Sequence, residues 1–260
     1  MLIISREAGH VGSYHLGELL AARGVAVLFE FIPSVCDPPL AIEDALRSAL
    51  EHCSTCRDRA TGAASPQTRL LPKQLACRNA TCVPSPLKRC VAAAMINGVG
   101  AALSAPRHIP RVHLTRTNVV KHALSQLSLW PNHVTGAASV PFSARSPKRV
   151  NVTHLIGMIE RTERNRKMQA NYLRGSAFYV SYEGLQIEPQ VELDAIFRIM
   201  KISPTPPAVS LEGNVHKTTS DDLRSSVQNF EEVAQALRER GQCYHDMWVA
   251  AEPREFQACQ

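Results

Sequence analysis

The chain has 260 residues, 45% of them hydrophobic, enough to bury a substantial core, and nothing in it suggests a second independent one. A formal charge of +6 and a pI near 9.0 suit a partner that carries several anions. Nucleic acid would suit that charge equally, but aromatics are only 5% and no RNP-like, helix-turn-helix or zinc-finger spacing is visible, which argues against it.

Leu2 to Ser5 is a short apolar run bounded by a polar loop, the form of a buried parallel strand. Gly9 and Gly12 allow a tight turn, and Leu16, Leu19 and Leu20 recur at helical spacing, so a helix is expected from Tyr14 to Arg23. A loop that delivers backbone N–H groups into a helix N-terminus attracts anions, because unpaired amides and the helix dipole both favour negative charge. The G-x-x-x-x-G-K-[ST] pattern is absent and the first seventy residues hold no lysine, so an ATPase or kinase loop would lack its main phosphate ligand. The plainer alternative is that the glycines only shape a strand-to-helix turn.

Further strands are expected at Val25 to Phe31, Val112 to Thr115 and Ala177 to Tyr182. Helices are expected at Asn118 to Leu127, Thr153 to Leu173, Gln190 to Met200 and Ser220 to Arg240, the last capped by Ser220 and Asp221 and stopped by Gly241. This alternation predicts an α/β three-layer fold with a parallel central sheet flanked by helices. Its ligand crevice should lie at the carboxyl ends of the strands, where the loop after Ser5, Glu30 and Arg116 all fall. The stretches 132–147 and 203–207 are rich in Pro, Ser or Gly and read as loops, with Arg145, Lys148 and Arg149 as a solvated patch.

The segment HLTRTNVVKHALSQLSLW, His113 to Trp130, is an apolar run ending in Arg116 followed by an amphipathic helix carrying Ser125. A guanidinium leaving a strand and a hydroxyl on the next helix can converge on one phosphate. A strand end with a solvated arginine explains the same residues without a ligand.

Together the N-terminal loop and this segment resemble the sulfotransferase family that uses 3′-phosphoadenosine 5′-phosphosulfate (PAPS), in particular its carbohydrate and bacterial-type members. His10, Val11, Gly12, Ser13, Tyr14, His15 and Leu16 lie over the family's R-x-G-[ST]-[ST]-x-L loop, and Arg116, Asn118 and Ser125 over its 3′-phosphate motif. FEFIPS, Phe29 to Ser34, looks like the family's Glu-Phe element, SAFYVSYEGL, Ser176 to Leu185, like its Y-E-x-L strand end, and KTTSDDLRSSVQNFEEVAQALRERG like its C-terminal Lys/Thr segment and helix. The resemblance covers almost the whole chain except about 37 to 105, and implies one sulfotransferase-like, P-loop NTPase-like domain over 1–260 with a cysteine-rich insertion there.

The resemblance implies transfer of a sulfuryl group from PAPS to an acceptor hydroxyl, expected to be that of a carbohydrate, with no metal. Glu30 takes the place of the general base, amides of Val11 to Tyr14 and the Ser13 hydroxyl that of the 5′-phosphosulfate site, and Arg116 with Ser125 that of the 3′-phosphate site. Lys217 or Thr218 would close over the donor. One departure stands out: His10 occupies the position of a permanent Arg or Lys, and Tyr14 replaces Thr. Imidazole is only partly protonated near neutral pH. Either transfer here is slow and acid-favoured, or Arg6 or Lys217 supplies the charge, or the chain is a catalytically impaired, lumenal binding protein of the same descent.

Other residues read as structural. Tyr182 and Glu183 would fix a strand end, the ERTERNRK run from Glu160 to Lys167 would be the wet face of a helix, and His15, His113, His122 and His154 show no metal-ligand spacing. Six of the eight cysteines cluster at Cys36, Cys53, Cys56, Cys77, Cys82 and Cys90, beside an Asn79-Ala80-Thr81 sequon; Asn151-Val152-Thr153 is another. Together these favour disulfides and a lumenal or secreted glycoprotein, with zinc ligation or reduced thiols as alternatives. MLIIS is too short for a signal peptide, and no run of eighteen apolar residues occurs. A Golgi enzyme would therefore need an upstream anchor outside this sequence, the one route by which it would meet a membrane; a cytoplasmic enzyme would not.

Overall fold

The computed structural model describes residues 2–7, 13–23, 25–31, 68–69, 80–81, 91–97, 108–127, 146–202 and 222–259. Strand β1 (Leu2–Arg6) leads to helix α1 (Ser13–Ala22) and strand β2 (Val25–Phe31). Two-residue strands β3 (Thr68–Arg69) and β4 (Ala80–Thr81) pair antiparallel, apart from the main sheet. Strands β5 (Val91–Asn97) and β6 (Arg111–Thr115) follow, then helices α2 (Val119–Gln126) and α3 (Val152–Leu173). Strand β7 (Phe178–Ser181) runs directly into α4 (Tyr182–Ile187) and α5 (Pro189–Ile199), and the chain ends with α6 (Phe230–Arg240) and α7 (Gln242–Val249).

Five strands form a sheet in the order β2-β5-β1-β6-β7, and every neighbouring pair is parallel. The first strand lies in the middle, so the chain winds to both sides of it and leaves a crevice at its carboxyl end. This is the expected α/β class, a parallel sheet flanked by helices.

Alternation along the strands explains the layers. Leu2 and Ile4 of β1 and Val112 and Leu114 of β6 pack with Leu16, Leu19 and Leu20 of α1 and with Leu193, Ile196 and Phe197 of α5 in one buried cluster. The intervening positions carry Ser5 and His113, whose side chains meet at 2.8 Å, and the polar side of α3 lies near them. A second cluster joins α2, α3, α6 and α7 around the fully buried Trp248, which stacks on Phe230 at 5.3 Å.

Three helix starts are explained by their caps. Asn118 accepts from the Lys121 amide, Asn151 from the His154 amide and Ser181 from the Gly184 amide. Asn151 of the second sequon is thus the helix cap of α3.

Two expectations need correction. The helix from Ser220 to Arg240 begins only at Phe230: residues 222–229 are irregular or turns, with a bridge from Val227 to Lys148, and the Asn229 side chain bonds the Val150 amide (2.8 Å) and carbonyl (2.9 Å). A side-chain amide engaged with another segment's backbone competes with helix continuation. The caps Ser220 and Asp221 lie outside the described residues. The segment from about 37 to 105 is not wholly an insertion, because β5 sits between β1 and β2 in the core sheet. The expectation for the six clustered cysteines falls outside the described residues; among the described residues a disulfide joins the other two, Cys243 and Cys259.

Phe197 is fully buried and Val191, one turn and a half earlier on α5, is 59% exposed. Phe197→Ala should lower stability by about 3–5 kcal/mol in urea unfolding, while Val191→Ala should change it by less than about 0.5 kcal/mol.

Candidate active site

The carboxyl ends of β1 and β6 meet at Glu7. Its carboxylate is almost fully buried and takes Arg166 Nε at 2.8 Å and Nη2 at 3.0 Å from α3, the Arg116 amide at 3.3 Å, and lies 3.1 Å from His122 Nδ1 on α2. Arg166 also donates to the Arg116 carbonyl and has His122 Nδ1 at 3.2 Å. Burial alone would push the Glu7 carboxyl up; the bond from His122 and the charges of Arg166 and His122 outweigh it and hold the group down at about 2. Deeper on the same strands, His113 is held below its usual value, chiefly by burial.

Arg116 leaves β6 and opens a loop whose backbone is gripped from the far side by Glu183. That carboxylate accepts from the Thr117 amide at 2.7 Å and the Asn118 amide at 3.3 Å, while Asn118 Nδ2 donates to the Met247 carbonyl at 2.8 Å. Tyr182 and Glu183, expected to fix the end of their own strand, instead serve the neighbouring one: Glu183 holds the loop after β6 and Tyr182 lies under Arg116.

The Arg116 guanidinium sits 5.0 Å over the Tyr182 ring. Its Nη1 reaches the Lys121 carbonyl at 3.5 Å; its Nε is 3.6 Å from Glu183 Oε1, too long for a hydrogen bond, and has no hydrogen-bond partner among the described residues. Gln186 Oε1, nearby, is also buried without one. Both side chains line a narrow cleft closed by Tyr182, Glu183, Arg254 and Phe256. A nine-tenths buried guanidinium with an unused donor, stacked on an aromatic face, is equipped to take an anion.

The expected site residues fall into four groups. Arg116 lines the cleft. Ser125 lies on α2 with its hydroxyl donating to the His122 carbonyl at 2.6 Å and does not line that cleft. Ser13 and Tyr14 are the first residues of α1, the helix after β1, and Glu30 is the penultimate residue of β2. Glu30 is not on a strand adjacent to β1, since β5 intervenes, and β2 shifts register between Leu28 and Phe31. His10, Val11, Gly12, Lys217 and Thr218 lie outside the described residues.

Sequence reasoning passed over Glu7 and Arg166. Arg166 sits inside the run expected to be a wet helix face, yet Leu155, Ile159, Thr162 and Arg166 recur at helical spacing and the first three are buried. That stripe was the available signal. Glu7 carried none beyond being the first acidic residue after an apolar run. Among the described residues no group of histidines, cysteines and carboxylates could hold a metal ion, and no helix is long and apolar enough to cross a membrane.

No protein-family model and no curated protein matches the chain. Among solved structures, the sulfotransferase domain from the curacin biosynthetic pathway is similar over 86% of this chain and 81% of that one, with a TM-score of 0.45 and 12% sequence identity.

Because the folded pKa of Glu7 lies below its ordinary value of 4.5, its contribution is complete above that value and is lost as pH falls toward about 2. Glu7→Gln should therefore cost on the order of 3 kcal/mol at pH 7. In urea unfolding the gap from the parent should narrow steadily below pH 4.5; a gap independent of pH would contradict the ionised, buried carboxylate.

Proposed function

We propose that this protein is a sulfotransferase that moves a sulfuryl group from PAPS to an acceptor hydroxyl, that of a carbohydrate. The observation that carries the reading is Arg116: a buried cation at the carboxyl end of a central strand, stacked on Tyr182, with its Nε unspent. It occupies the position in the sequence where the resemblance puts the 3′-phosphate ligand.

The donor, when bound, supplies the sulfuryl group and a good leaving phosphate. The chain's part is to position two reactants and neutralise charge, as in phosphoryl transfer. In this reading, amides of Val11 to Tyr14 and the Ser13 hydroxyl hold the 5′-phosphosulfate at the start of α1, where the helix dipole favours an anion. Arg116 takes the 3′-phosphate; for Ser125 to share it, α2 must shift as well as the hydroxyl turn away from the His122 carbonyl, because Ser125 lies outside the cleft that Arg116 lines. Glu30 removes the proton of the attacking hydroxyl, and Lys217 closes over the donor. His10, protonated, stands in for the usual arginine beside the leaving oxygen. The Cys243–Cys259 bond and the sequons suit an oxidising compartment, so the reading puts the enzyme in the Golgi lumen.

Label transfer from ³⁵S-PAPS to a panel of sugars should be seen with the parent and fall by about a hundredfold or more in Glu30→Gln. Full transfer by that variant would remove Glu30 as base. Arg116→Ala should weaken binding of 3′-phosphoadenosine 5′-phosphate by about tenfold to a hundredfold in calorimetry. Transfer by the parent should rise as pH falls from 8 to 6, and His10→Arg should flatten that profile. Nucleotide binding without transfer to any sugar would favour the impaired, binding-only form, which the His10 substitution motivates.

A further inference from the structure

The C-terminal segment after α7 has no regular secondary structure, yet it forms one wall of the Arg116 cleft. Four links hold it there. Lys121 Nζ donates to the Ala250 carbonyl at 2.7 Å, Arg254 Nη2 to the Asp246 carbonyl at 3.3 Å, and Ser181 Oγ to the Glu255 carboxylate. The fourth is covalent: Cys259, near the end of the segment, is bonded to Cys243 on α7, 16 residues back. Both cysteines pack against the Trp248 cluster, so the bond fastens the segment to the core rather than to another loop.

We propose that this stapled segment is part of the ligand site, with Arg254 as a second cation for the anion at Arg116 and the Cys243–Cys259 bond setting how tightly that anion is held. The proposal rests on the reading of Arg116 as an anion ligand and names a residue and a control that the reading does not contain. Arg254 lines the cleft with its guanidinium 4.6 Å over the Phe256 ring, as Arg116 lines it 5.0 Å over the Tyr182 ring. The cleft then has two guanidinium groups, each backed by an aromatic face. With Lys121 they outnumber the cleft's carboxylates, Glu183 and Glu252, and Glu183 is already occupied by the Thr117 and Asn118 amides. Without the disulfide, an irregular segment held by three polar bonds, one of them exposed and two part-buried, gains chain entropy on leaving, because no covalent link closes the loop. Arg254 would leave with it. Opening the bond takes two electrons and two protons from a dithiol reductant, which is itself oxidised to a disulfide, and yields the thiols of Cys243 and Cys259.

The test titrates two probes, 3′-phosphoadenosine 5′-phosphate and inorganic phosphate, into the full chain, Arg254→Ala and the double variant Cys243→Ser/Cys259→Ser. Arg254→Ala, an exposed position that folding tolerates, should weaken both probes by about tenfold. The double variant should match it, show faster hydrogen exchange over residues 250–259, and lose no further affinity in dithiothreitol. If the nucleotide fails to bind but phosphate binds and weakens as stated, the nucleotide reading falls and the stapled site stands. Affinities for both probes that ignore Arg254 and the disulfide overturn the proposal, as does a loss in dithiothreitol that persists in the double variant.

Discussion

The site depends on one buried carboxylate. Glu7 ends the first strand, and its two oxygens gather Arg166 from α3, His122 from α2 and the backbone of Arg116 from the neighbouring strand. An unpaired carboxylate there would be costly, and losing any one partner leaves the others imperfectly satisfied. The consequence is geometric: the start of the loop after β1 and the start of the loop after β6 cannot drift apart. Two segments more than a hundred residues apart in sequence are thereby made one edge of a crevice.

Arg116 is held in two different ways by its two ends. Its backbone is fixed on one side by Glu7 and Arg166, and the following amides are fixed on the other by Glu183. Its side chain is left with a π-face, one long bond and an unused Nε. Rigid backbone with an underused cation is the arrangement that pays least to bind an anion, because little must reorganise. Glu183 contributes by being spent on amides, so that it competes weakly for the guanidinium. The stapled tail finishes the cleft from the third side.

Much of the framework was legible in the sequence because it rests on local signals. Apolar runs bounded by turn residues marked β1, β2, β6 and β7 within a residue or two, and the helix expected from Asn118 to Leu127 is α2, with Asn118 its cap. Strand β5, VAAAMIN, was missed since three alanines in a row give neither strand nor helix periodicity and it lies beside the cysteine-rich stretch. The false extension of α6 came from reading Ser220 to Asn229 by propensity alone, when Asn229 is committed to Val150. The site was legible only where a motif marked it. Arg116 belongs to such a motif, whereas Glu7 and Arg166 act through partners 109, 159 or 50 residues away along the chain, and Arg254 lines a cleft built by distant segments; no single-sequence pattern encodes those meetings.

The central claim is that the β1 and β6 loops serve one nucleotide with an anion at each end. Calorimetric titration of 3′-phosphoadenosine 5′-phosphate against adenosine 5′-phosphate and adenosine 3′-phosphate measures this directly. The doubly phosphorylated ligand should bind about a hundredfold more tightly than either singly phosphorylated one. Equal affinities for all three would mean that the two loops do not act on a single ligand.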